Sequence, residues 1–217
     1  RATELLDTDT ITNLNGTIPP PVVDTPYAIS DSLYRNEQWY LQRINASRAL
    51  SMMNDPRYDL APKRQIIIAV LDSGLDTGGP EFSGRVGEGF DYINNVADPD
   101  VLTCSKPAGA SAVTTDDYGH GSHVAGLLGA GLNNGAGVAS LGGNIVWIEP
   151  LKVLNSAGSG SVRDVSAAIR YATQCLNANI INMSIEVEAS VINNSADLNR
   201  TFQTAVQFAD QRNVLQI

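Results

Sequence analysis

Basic residues are scarce in this chain: Lys and Arg total 14 against 23 Asp and Glu, a net charge of −9. Such a deficit leaves little to neutralise a phosphate backbone, so nucleic acid is not an expected partner. Long apolar runs are missing too. None approaches the ~20 residues of a membrane-spanning helix, and no membrane partner is expected. Cysteine is reduced to Cys104 and Cys175, too few for a disulfide framework. One disulfide is open to them in an oxidising compartment. Taken singly, Cys175 sits in a helical pattern and reads better as a small buried hydrophobe, and Cys104 lies in a loop, free or paired with a cysteine outside these residues. Histidine occurs only as His120 and His123. Glycine is plentiful at 19 residues, and hydrophobic residues make up 43% of 217 positions. These values suit one α/β domain with a sizeable core. With only 17% charged residues, they lean towards a secreted or halotolerant hydrolase over a highly charged cytosolic protein. The chain opens at Arg1 rather than Met, which we read as processing or trimming.

Residues 1–30 differ in kind from the rest. Ile18-Pro19-Pro20-Pro21-Val22-Val23 and Asp24-Thr25-Pro26 cannot build a helix and predict an extended arm, with a short strand around Leu5. A globular pattern starts near Leu33. Ile44, Leu50 and Met53 predict one short amphipathic helix ending before Pro56. Strands and helices then alternate. Strands are predicted at Ile66–Leu71, Ile145–Val153 (interrupted by Pro150), Ile180–Ser184 and Val214–Ile217, and helices at His120–Gly131, Val162–Leu176 and Ala196–Arg212. Apolar β-branched runs such as Ile66–Leu71 mark strands buried on both faces. The alternation predicts a three-layer, doubly wound parallel sheet. Ligands of such sheets sit beyond the carboxyl ends of the strands, where Asp72 stands.

A carboxylate at the end of a buried strand must be paired or hydrogen-bonded. An imidazole N–H is a suitable partner, and Asp72 would then set the tautomer of a histidine and stabilise its imidazolium. Gly119 and Gly121 leave room around His120 for a partner backbone or a substrate. His120 and His123 are three residues apart and could share a metal, but no His-Glu-x-x-His arrangement supports that reading.

Five segments in order resemble the subtilase family of serine endopeptidases. Leu71-Asp72-Ser73-Gly74 is similar to its Asp motif, and His120-Gly121-Ser122-His123-Val124-Ala125-Gly126 to its His motif, with Ser122 where Thr is usual. Pro80–Arg85 resembles the segment after the Asp, Leu151–Leu154 with Gly158-Ser159-Gly160 the substrate-binding edge, and Ile181–Ser184 the strand facing the S1 pocket. The resemblance implies a subtilisin-like fold and a secreted serine endopeptidase, a hydrolase with an Asp-His-Ser triad. Asp72 would orient His120, and His120 would be the general base. Gly158, Ser159, Gly160 and Ser184 would flank an extended protein or peptide substrate. His123 would be a buried, hydrogen-bonded helix residue.

The resemblance also implies a structural Ca²⁺, held by Glu81 and Asn134 side chains, the carbonyls of Leu132, Ala136 and Val138, and Gln38 as a further oxygen. An ordinary Asn-Gly turn is the other reading of that loop. Residues 1–30 would be a mature arm or the tail of a zymogen propeptide; 31–217 would be the N-terminal part of the catalytic domain. The nucleophilic Ser and the oxyanion-hole Asn are expected beyond residue 217, the chain's own C-terminal segment being a partner in the sheet, and these residues alone are expected to be inactive.

Two departures stand out. Where the family has Ser-Leu-Gly, this chain has Ser184-Ile185-Glu186, followed by Glu188, which either narrows the pocket or makes it acidic. A substrate profile distinguishes the two. The stretch from Asp98 to Asp117 is longer than in compact subtilisins and reads either as a border of the cleft or as a mobile surface insertion with solvated acids. A catalytically inactive binding module on the same scaffold is the rival function. A nucleotide-binding domain is disfavoured, since no Gly-x-Gly-x-x-Gly follows Ile66–Leu71.

Overall fold

The computed structural model describes residues 27–54, 65–95, 97–113, 115–186 and 196–217. Residues 1–26 of the arm predicted over 1–30, including its strand, and Glu188 lie outside them. Two short helices lead, α1 (Trp39–Arg43) and α2 (Ala46–Asn54). The single helix expected there is broken at Asn45, which adopts a left-handed φ of 58°. Ile44, predicted to face a core, is exposed in the break. Ile29 packs with Leu41, Leu50 and Leu132, so the globular body begins ahead of Leu33.

The sheet contains β1 (Ile66–Asp72), β2 (Phe90–Asp91), β3 (Val146–Lys152), β4 (Ile180–Asn182) and β5 (Leu215–Gln216). All its pairs are parallel, in the order β2-β3-β1-β4-β5. Alternation along β1 sends side chains to opposite faces. Ala69 and Leu71 join Leu151 and Ile181 on one face, under α4 (Val162–Gln174) and α5 (Ala196–Asp210). Ile68 and Val70 join Ile148 on the other, under α3 (His120–Gly129). Each aliphatic side chain fully buried this way contributes about 1.5–3 kcal/mol. The three-layer parallel architecture is the one the sequence pattern predicts.

Pro150 does not interrupt β3, which runs through it in register with β1, Val70 opposite Pro150. β5 forms one edge of the sheet among the described residues, with Val214 buried before it and Ile217 64% exposed. Helix α3 carries Gly121, Gly126 and Gly129, which weaken it by about 1 kcal/mol each relative to Ala. The packing explains two of them. A Cβ at Gly129 would come within 2.7 Å of Val146 Cγ1, and one at Gly121 would overlap the Gly74 carbonyl oxygen. Glycine lets this helix lie close on the sheet, with its first turn at the carboxyl end of β1.

The long stretch after β2 is no loose insertion. Cys104 forms a disulfide with Cys175, the residue that ends α4. This corrects the reading of Cys175 as an unpaired hydrophobe and of Cys104 as free. Spacing along the chain gave no hint, because the pair is 71 residues apart and is joined only when α4 packs on the sheet. Val101 packs against the core below α4, and Val113 is buried on the opposite face.

Candidate active site

The carboxyl ends of β1, β3 and β4 meet on one side of the sheet. Asp72 ends β1 and is 1% exposed. Its two carboxylate oxygens lie 2.8 and 2.9 Å from His120 Nδ1, and Oδ1 also accepts the Ser73 N–H at 2.7 Å. An ionised carboxylate only accepts, so His120 carries its proton on Nδ1 towards Asp72 and presents Nε2 elsewhere. The His120 side chain is 41% exposed, enough to face a ligand. His120 opens α3, and Gly119 before it takes a φ of 92°, which a side chain would strain. The strand end and the helix start therefore deliver the two side chains to each other.

Around the pair lies a hydrogen-bonded frame. Asp116 Oδ1 accepts the Ser73 hydroxyl at 2.8 Å, the Gly119 N–H at 2.8 Å and the Tyr118 N–H at 3.2 Å. Its Oδ2 accepts the Ser122 N–H at 2.8 Å. Partial burial pushes the Asp116 carboxyl up, but the Ser122 and Gly119 N–H groups and the Ser73 hydroxyl outweigh it and hold it at about 2. The folded value lies below the ordinary carboxylate value. The stability Asp116 contributes is therefore present at neutral pH and lost as pH falls through about 2.

Lys152, 3% exposed, ends β3 opposite Asp72. Its ammonium donates to the Ser73 carbonyl, to Asp117 Oδ1 at 2.5 Å and to the Leu154 carbonyl at 3.0 Å. The Lys152 hydrogen bond holds the Asp117 carboxyl below its ordinary value. Asp116 and Asp117 are thus engaged partners, not the solvated loop charge expected of them. Gly119 and not an acid holds the N-cap position of α3, so the sequence carries no capping signal at Asp116. Lys152 offered no signal, since only the β1–β3 register buries it.

His120, Tyr118, Gly158, Ser159, Gly160 and Ser184 line one cleft of about 570 Å³. All four residues predicted to flank a substrate are therefore brought beside His120. Apolar walls come from Leu154, Val165, Ile185, Leu198 and Phe202, and Glu186 and Arg163 also border the cleft. Asn155 shapes one lip. Its side chain accepts the Ala157 and Ser159 N–H groups, and its carbonyl accepts the Gly158 N–H. Gly158 has a φ of 70°, and a Cβ there would reach the Tyr118 ring at 2.7 Å. At the other lip, the Asn182 amide donates to Ser184 Oγ at 3.0 Å. His123 is exposed, not buried as predicted, because one helical step from the sheet-facing Val124 turns it to solvent.

The residues of the predicted calcium set also converge. Glu81 Oε1 accepts the Val138 N–H at 2.7 Å, and its Oε2 accepts the Asn134 amide at 3.0 Å. Asn134 Oδ1 accepts the Ala136 N–H at 2.8 Å. Gln38, buried, accepts from and donates to the Ala139 backbone at 2.7 and 2.9 Å. Asp31, which sequence reasoning missed, accepts the Asn133 and Asn134 N–H groups at 2.9 and 3.0 Å. The loop wraps Glu81 so tightly that a Cβ at Gly137 would overlap its carboxylate. Carboxylate and amide oxygens are the donor chemistry that Ca²⁺ takes, and here each of these side-chain oxygens accepts an N–H group.

Residues 63–216 match the sequence profile of the subtilase family. The chain is 35% identical over 118 residues to the thermophilic serine proteinase of Bacillus sp. strain AK1, covering 54% of this chain and 25% of that protein. It is 34% identical over 163 residues to the extracellular serine proteinase of Thermus sp. strain Rt41A, covering 74% and 34%. The crystal structure of fervidolysin from Fervidobacterium pennivorans, a keratinolytic enzyme related to subtilisin, superposes with a TM-score of 0.56 at 22% identity. That superposition spans 93% of this chain and 26% of fervidolysin, and it shows the shared fold. This chain spans about a quarter to a third of the length of these relatives.

Proposed function

The chain belongs to the subtilase family, and from that membership we propose that the full-length protein is a secreted serine endopeptidase acting through an Asp-His-Ser triad. The observation that carries the proposal is the buried Asp72 carboxylate on His120 Nδ1 at 2.8 Å, at the mouth of a cleft. In this reading His120 Nε2 takes the proton of a serine hydroxyl as the serine attacks the scissile carbonyl. Asp72 stabilises the imidazolium, and His120 then returns the proton to the leaving amine. Water repeats the sequence to release the acyl group. In this reading the nucleophile and its oxyanion donors are supplied by sequence beyond residue 217.

An extended peptide would lie between the Gly158–Gly160 and Ser184 lips, with apolar side chains directed at Ile185, Leu198 and Phe202. The relative named as extracellular and the Cys104–Cys175 disulfide support secretion. Treating the full-length protein with a fluorophosphonate tests the reading. Labelling is expected in the wild type and not in His120→Ala; wild-type protein that stays unlabelled would favour the binding-module alternative.

Glu81, Asn134, Gln38 and the Leu132, Ala136 and Val138 carbonyls would hold a Ca²⁺ that cross-links this loop to the N-terminal segment. When bound, the ion supplies rigidity rather than a reaction step. Calorimetric titration with CaCl₂ is expected to show one site in the full-length protein, and chelation to lower its stability by about 2–3 kcal/mol at calcium near 100 Kd. No heat of binding, with Glu81→Gln indistinguishable from wild type, would remove the site.

A further inference from the structure

We infer that Asp116 is a positioning residue that fixes how His120 meets Asp72, an inference that rests on the proposed peptidase reading. Asp72 and His120 are joined directly at 2.8 Å. The residues that follow each of them in the chain are also joined, because the Gly121 N–H donates to Ser73 Oγ at 3.0 Å. Asp72, Ser73, Gly121 and His120 therefore form a closed ring of two peptide links and two hydrogen bonds.

The ring holds only if the Ser73 hydroxyl turns a lone pair towards Gly121. A hydroxyl rotates to suit its partners, and what fixes this one is its own donation to Asp116 Oδ1 at 2.8 Å. Ser73 is wholly buried, so bulk solvent does not compete for that proton. The same Asp116 carboxylate grips the start of α3 through the Gly119 and Ser122 N–H groups. One side chain thus ties the residue after Asp72 to the turn that carries His120. A simple helix cap would satisfy only the N–H groups. The bond to Ser73 has no capping purpose, and it is the one that reaches the end of β1.

Two substitutions in the full-length protein separate positioning from capping. Ser73→Ala opens the ring and leaves the Asp116 cap on Gly119 and Ser122 in place. Asp116→Asn keeps an oxygen for Ser73 but sets an NH₂ group against the Ser122 N–H. Both are expected to lower kcat by about 10- to 100-fold with KM changed less than about twofold, the pattern of a misplaced reacting group. Both are also expected to shift or broaden the downfield proton resonance of His120 Nδ1–H. A lower melting temperature in Asp116→Asn, with kcat and that resonance intact in both variants, would reduce Asp116 to a cap and overturn the inference. The resonance reads out without turnover. A protein that shows no peptidase activity, yet loses the resonance in both variants, would refute the proposed function and leave the positioning role standing.

Discussion

Replacing His120 with Ala in the full-length protein is expected to lower kcat on a peptide substrate by a factor on the order of 10⁶, with KM little changed. The size follows from what the imidazole does in the proposed mechanism. It takes a proton from the nucleophile and delivers one to the leaving amine, so its loss removes the covalent step rather than weakening it. Substrate recognition would survive, because the lips of the cleft are built by Asn155, Gly158 and Asn182 independently of His120. Asp72→Asn is expected to cost less, about 10⁴-fold, since an amide in the same place can donate to Nδ1 and favour the wrong tautomer. Steady-state kinetics checks both. A His120→Ala protein within about tenfold of wild type would end the general-base assignment.

The second large effect is expected at a residue with no side chain. Gly121→Ala would place a Cβ against the Gly74 carbonyl oxygen and 3.1 Å from Asp72 Cβ, between strand end and helix start. Backbone cannot step aside as a flexible side chain does, so α3 must lift from β1. Overpacking of this kind costs about 1–3 kcal/mol of stability. A shift of about 1 Å in His120 relative to Asp72 and the nucleophile would lower kcat about 100-fold. Gly126→Ala is the control. It lies on the same helix, its nearest neighbour would be Val138 Cγ2 at 3.4 Å, and Ala is favoured in a helix interior by about 1 kcal/mol. Thermal melts and kinetics on the pair should diverge, with Gly126→Ala equal to wild type or more stable. Equal behaviour of the two would show that close approach at Gly121 is not what holds the geometry.

The parallel sheet was legible because its signal is local. Ile66–Leu71 is apolar at every position, as a strand covered on both faces must be, and the helices carry apolar residues at helical spacing. Reading failed where burial depends on a neighbour far along the chain. His123 shares a motif with His120 but points to solvent, since the face of a helix is set by what it packs on. Asp116 and Asp117 look like loop charge, and become partners only when the long loop returns to Ser73 and Lys152.

Asp72, His120, Gly158, Ser159, Gly160 and Ser184 were named through the resemblance of their short segments to the subtilase family, and the structure sets Asp72 on His120 and brings His120 to one cleft with the other four. The architecture was equally determined, through hydrophobic period and strand–helix alternation. Tertiary structure alone decided the Cys104–Cys175 bond, the burial of Lys152 and the Asp116 frame around the Asp–His pair. The disulfide, the Asp116–Ser73 bond and the Lys152–Asp117 pair join residues 71, 43 and 35 positions apart, and such pairs become neighbours only once parallel strands have fixed their register and the helices have closed on the two faces.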